Sequence, residues 1–144
     1  MQSHEQFIAG NRPGHIMLFQ HENATSLPDD ASKVAKNAAE GKMIIQPAVM
    51  ARDLIDKVLV PNISQFTELS QKRQGNIEPY LTSGDCPEAN SNHDEDHIIE
   101  QLFAFVQPKH NSLGGIYADG DVMHAYARCS CQVHYSDRWV IASK

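Results

Sequence analysis

Gly114 to Ser143 reads GGIYADGDVMHAYARCSCQVHYSDRWVIAS, and this stretch decides the fold. Asp119-Gly120-Asp121 and Ser136-Asp137 are tight-turn signals, so the segment predicts antiparallel strands near 115–118, 122–135 and 138–142. In the long middle strand Met123, Ala125, Ala127, Cys129, Cys131, Val133 and Tyr135 hold the odd positions. His124, Tyr126, Arg128, Ser130, Gln132 and His134 hold the even ones. Successive side chains on a strand point to opposite faces, so one face of this ribbon is apolar and demands cover while the other is polar. Helices written earlier in the chain are the expected cover.

Upstream, Ile16 to Phe19 reads as a short buried strand near 15–20, entered from Pro13-Gly14. Ser26-Leu27-Pro28-Asp29-Asp30 is a helix start, with Ser26 to cap and acids to complement the dipole, and Gly41 stops a helix predicted over 28–40. Met43 to Gln46 suits either a strand or the beginning of the next helix. Val49, Met50, Leu54, Ile55, Val58 and Leu59 recur at helical spacing over 47–60, and after Pro61 a further helix runs over 61–73 through Ile63, Phe66 and Leu69. Asn76 to Asp94 has no periodicity and is rich in Pro, Gly and Asn, which marks a functional or mobile loop. Ile98, Ile99, Leu102, Phe103 and Val106 then predict a helix over 96–107 closed by Pro108. The expected fold is α+β: a single domain over 1–144, with an antiparallel sheet of about four strands covered on one face by three or four helices.

Composition narrows the functional classes. The chain has 144 residues, 41% hydrophobic and 21% charged, with a formal net charge of −6. That balance and the lack of a basic patch argue against nucleic acid as the main partner. No apolar run approaches the roughly 18 residues of a membrane span. Met1 to Gly10 lacks the pattern of a secretory signal, so a soluble, cytoplasmic protein is expected. Three cysteines, an odd number, suggest reduced thiols rather than a disulfide framework.

Two stretches carry a family resemblance. Pro13-Gly14-His15-Ile16-Met17-Leu18-Phe19 and Gly115-Ile116-Tyr117-Ala118-Asp119-Gly120-Asp121-Val122-Met123-His124-Ala125 resemble the entry strand and the hairpin of papain-like thiol hydrolases. The likeness is to the NlpC type and to its circularly permuted YiiX-like and lecithin-retinol-acyltransferase-like relatives. The resemblance implies a cysteine nucleophile and a histidine base acting on an amide or ester, with no cofactor. The family's base stands two positions before Gly115-Ile116-Tyr117, where this chain has Leu113; His110 is the nearest histidine.

Thiol chemistry leads to the same question independently. A nucleophilic cysteine needs a lowered pKa and a base within hydrogen-bonding reach. Cys86, in Ser83-Gly84-Asp85-Cys86-Pro87-Glu88, lies in the irregular segment and is the candidate nucleophile, with His110 and His124 as candidate bases. Cys129 and Cys131 share parity with the apolar face and read as packing residues. A metal site is not expected. His93 and His97 sit four apart, and Cys129-x-Cys131-x-x-His134 offers soft ligands, but two thiols two apart on a strand stand about 7 Å from each other, wider than a tetrahedral ion prefers. By parity His134 also faces away from them.

A binding module is the competing reading. The even row from His124 to His134 would line an open sheet face such as cystatin-like and nuclear-transport-factor-like half-barrels present. The expected partner is thus either a protein or a small acyl or amide substrate.

Overall fold

The computed structural model describes residues 2–24, 27–38, 40–59, 62–88 and 97–141. The Ser26 cap, Pro61, His93 and the last residue of the strand expected over 138–142 lie outside them. In chain order the elements are α1 (Gln2–Ile8), β1 (His15–His21), α2 (Asp29–Val34), β2 (Lys36–Ala38), β3 (Gly41–Pro47), α3 (Ala48–Val58), α4 (Ile63–Gln71), β4 (Asn76–Ile77) and β5 (Gly84–Asp85). They continue with β6 (Ile99–Gln107), a 3-10 turn (Asn111–Leu113), α5 (Ile116–Asp119), β7 (Val122–Cys129) and β8 (His134–Val140).

The architecture is α+β, built on an antiparallel sheet of six strands in the order β2-β3-β1-β6-β7-β8, with β4 and β5 forming a separate two-stranded ladder. Six strands replace the expected four because Lys36–Ala38 (β2), Gly41–Pro47 (β3) and the run expected as a helix over 96–107 (β6) all join the sheet, while the strand expected over 115–118 does not. In β6 Leu102, Ala104 and Val106 join the core on one face while Phe103 and Phe105 join that on the other. A strand buried on both sides is apolar throughout, and such a run is indistinguishable by periodicity from a buried helix. Central β1 has the same character: Met17 and Phe19 face one core, Ile16 and Leu18 the other.

Three further boundaries differ from expectation. The helix over 28–40 ends at Val34, and Lys36–Ala38 pairs with β3 as an edge strand. In place of the strand expected over 115–118 the chain forms the short α5 over Ile116–Asp119, entered through Gly114 and Gly115 at φ of 69° and 56°, which turn it out of the sheet. The strand expected over 122–135 is a hairpin. β7 stops at Cys129, Gln132 takes φ 76°, Gln132 N–H donates to Cys129 O at 2.9 Å, and β8 starts at His134. The expected Ser136-Asp137 turn instead lies within β8, where Ser136 opposes Tyr126.

Cover is two-sided. Helices α2, α3 and α4 bury Ala31, Ala51, Ile55, Val58 and Phe66 against Ile16, Leu18, Ile44, Phe103 and Tyr126. The face bearing Met123, Ala125, Ala127 and Cys129 is covered instead by Phe7 of α1 and by Ile77, Leu81 and Cys86 of the irregular segment. Each large side chain so buried contributes roughly 1.5–3 kcal/mol. Among its described residues, 76–88, the regular structure of that segment is two two-residue strands.

Candidate metal centre

Cys129 is the last residue of β7 and Cys131 belongs to the turn that follows, so the alternation that would separate them along a strand no longer applies. The turn curls Cys131 back to the side of Cys129. Cys86 directly follows β5 within the irregular segment, and His97 stands two residues before β6. One donor atom from each of Cys86, His97, Cys129 and Cys131 lies within 4.8 Å of every other. Cys86 Sγ is 3.7 Å from Cys131 Sγ, and Cys129 Sγ is 3.4 Å from His97 Nδ1. Tetrahedral zinc, with bonds of about 2.3 Å to sulfur and 2.0–2.1 Å to nitrogen, sets its donors about 3.5–3.8 Å apart, so two edges of such a polyhedron already have nearly the required length.

The surroundings suit thiolates. The backbone N–H of Glu88 donates to Cys86 Sγ at 3.4 Å, and the backbone N–H of Cys131 donates to the Cys129 sulfur. Both are contacts from two residues downstream, which stabilise the anionic ligand and aim it. Burial works the other way: without a cation it pushes the Cys86 thiol up to about 12 and the Cys129 thiol upward too. A soft divalent ion is the species that turns three clustered thiols into thiolates, displacing their protons.

The residues expected to form a thiol–imidazole pair are not brought together. His124 lies on the even face of β7, stacked on Phe105 with ring centroids 5.0 Å apart, across the sheet from the core that contains Cys86. Burial and then Arg138 lower its pKa. The His110 ring Nδ1 is hydrogen-bonded with Ser112 Oγ at 2.8 Å, and the His110 backbone N–H donates to Tyr117 O beyond the Val122 end of β7. Cys86 packs at the Cys129 end, about 20 Å away along the strand. Among the described residues the imidazole that meets the thiol is that of His97, and His134 packs edge-on against Phe66 on the opposite face.

A concavity opens on that opposite face. A cleft of about 370 Å³ is lined by Gln71, Gln74, Tyr117, His124, Tyr126 and Ser136, with Asp137 and Arg138.

Residues 35–142 match a family of unknown function, DUF5807. The chain belongs to that family. The matched DUF5807 span contains all four donors and the whole cleft, and begins after α1, β1 and α2. No curated protein and no solved structure matches the chain.

The metal reading was within reach of the sequence in pieces. Cys86, His97, Cys129 and Cys131 are all visible as separate soft donors, and three reduced cysteines plus one histidine is the composition of a common zinc set. Spacing alone did not join them.

Proposed function

We propose that the protein is a zinc-binding domain in which one ion, held by Cys86, His97, Cys129 and Cys131, staples the irregular segment to the sheet, and that its role is binding rather than catalysis. The convergence of four soft donors from three separated stretches within 4.8 Å carries this reading. Three sulfurs and one imidazole select zinc over calcium or magnesium, which take oxygen. Four protein ligands close a tetrahedron and leave no position for a metal-bound water, the arrangement of a structural rather than a catalytic site.

Metal analysis of the purified chain is the test. About one zinc per chain is expected, and cobalt replacement should give intense visible bands with thiolate-to-metal charge transfer. Cys129→Ser and Cys131→Ser should each weaken binding at least about tenfold. Less than about a tenth of an equivalent after reconstitution with zinc chloride, with no cobalt spectrum, would sink the proposal.

The thiol-hydrolase reading has a separate readout. It requires fast, selective alkylation of Cys86 by iodoacetamide at neutral pH, lost in His110→Ala or His124→Ala. A buried thiol whose pKa is raised predicts slow labelling instead, insensitive to either substitution.

A further inference from the structure

The cleft of about 370 Å³ lies between the end of α4 and α5, over the even face of β7 and β8. Its volume falls in the range of sites for small metabolites. Arg138 is exposed at its edge and is held in place from one side: Nη1 donates to Tyr117 Oη at 2.9 Å, and the guanidinium sits over the same ring, 5.6 Å from its centroid. Both contacts fix the plane of the guanidinium and use one of its five donors.

The chain carries a net charge of −6, yet among the described residues no carboxylate pairs with Arg138. The other contrast is Arg128, which pairs with Glu100 at 3.2 Å. Asp137 contributes to the lining, but it sits opposite Ala125, so its side chain lies on the other face of the sheet, where Oδ2 accepts from the N–H of Ile77 at 3.0 Å; Oδ1 accepts from the backbone N–H of Arg138 at 2.8 Å. The remaining side chains on the cleft, Gln71, Gln74, Tyr117, Tyr126, His124 and Ser136, are uncharged donors or donor-acceptors. Burial and then the Arg138 charge favour the neutral form of His124, and its buried Nε2 has no hydrogen-bond partner among the described residues. A concavity with one oriented cation, several neutral donors and its one lining acid turned to the other face of the sheet is the electrostatic complement of an anion.

We propose that this cleft binds a small oxyanion, a carboxylate or phosphate group on a compact molecule, with Arg138 as its charge partner and Tyr117 as the residue that positions that arginine. The site is independent of the metal centre, which lies across the sheet on the other face.

Amide NMR of the zinc-loaded full chain tests it, with inorganic phosphate and acetate as probes and sodium chloride at equal ionic strength as the control. Saturable shifts at Tyr117, His124, Ser136 and Arg138 are expected, with dissociation constants of the order of 1–10 mM for such minimal probes. The stronger of the two probes names the anionic group. Arg138→Gln should weaken binding at least about tenfold, Tyr117→Phe less so, and Arg52→Gln, at an exposed arginine on α3, not at all. Because Arg138 is exposed, its substitution should leave the amide spectrum of the sheet in place. Shifts that fail to saturate, that chloride reproduces, or that persist unchanged in Arg138→Gln would overturn the proposal.

Discussion

At the scale of single residues the most telling side chains are polar ones held against the sheet. Gln101 donates from Nε2 to Gln20 Oε1 at 2.8 Å and to Val58 O at 2.7 Å, which ties β6 to β1 and to the end of α3. Across the same row His134 opposes Arg128 and packs against Phe66 with ring centroids 5.1 Å apart. Burial, followed by the Arg128 charge, lowers the His134 pKa below its ordinary 6.5. Below pH 6.5 the unfolded chain therefore takes up a proton that the folded chain refuses. The stability contributed by keeping His134 neutral is full above that pH and is lost as pH falls from there through the folded value. Denaturation of wild type and His134→Gln in parallel from pH 8 to 5, with zinc constant, should show a steeper acid loss for wild type. Equal slopes would mean that His134 is not held neutral.

Among the elements, the β4–β5 ladder is the weak joint that the tertiary structure has to support. Its register sets Ile77 opposite Gly84, and a Cβ on Gly84 would stand 2.5 Å from Asn76 O and 3.1 Å from both Ile77 Cα and Tyr135 Oη. Tyr135 is buried to 1% exposure and Asn76 O is backbone, so neither yields readily. Gly84→Ala should cost about 1–3 kcal/mol. In thermal melts that is a drop of several degrees, and the donor Cys86, two residues on, should lose zinc affinity with it. A melt unchanged within error would show that the ladder relaxes freely. In β6 and β1, by contrast, burial on both faces supplies ample apolar contact, and the same ladder logic is not needed there.

For the whole molecule the two faces of the sheet are closed in different ways. On one, α2, α3 and α4 bring their own hydrogen bonds and an apolar stripe; on the other, a segment with little regular structure must lie flat over Met123, Ala125 and Ala127. The proposed zinc ion would link that segment to His97 and to the β7–β8 turn and add to its hold on the sheet, since binding free energy at such a site is folding free energy. Removing the metal with a chelator should therefore loosen one face selectively. Hydrogen exchange at Ile77, Leu81 and Glu88 should accelerate at least about a hundredfold while β1 and β6 stay protected. Uniform acceleration across the sheet, or none at the irregular segment, would contradict the staple. No helix among the described residues is long and apolar enough to cross a membrane.

What the sequence determined by itself was local. The alternation of Met123, Ala125, Ala127 and Cys129 against His124, Tyr126 and Arg128 specified β7 and its two unlike faces, and helical spacing specified α3, because both follow from the geometry of a few consecutive residues. Tertiary structure alone decided that Ile99–Gln107 is a strand, since its apolar residues satisfy either element and only cover on both sides selects one. It alone decided the candidate site as well. Cys86 and Cys131 are 45 positions apart, and no local rule links a thiol in an irregular segment to one in a distant turn. Their meeting depends on how the segment crosses the sheet, a long-range outcome of burying Ile77 and Leu81 that no window of sequence contains.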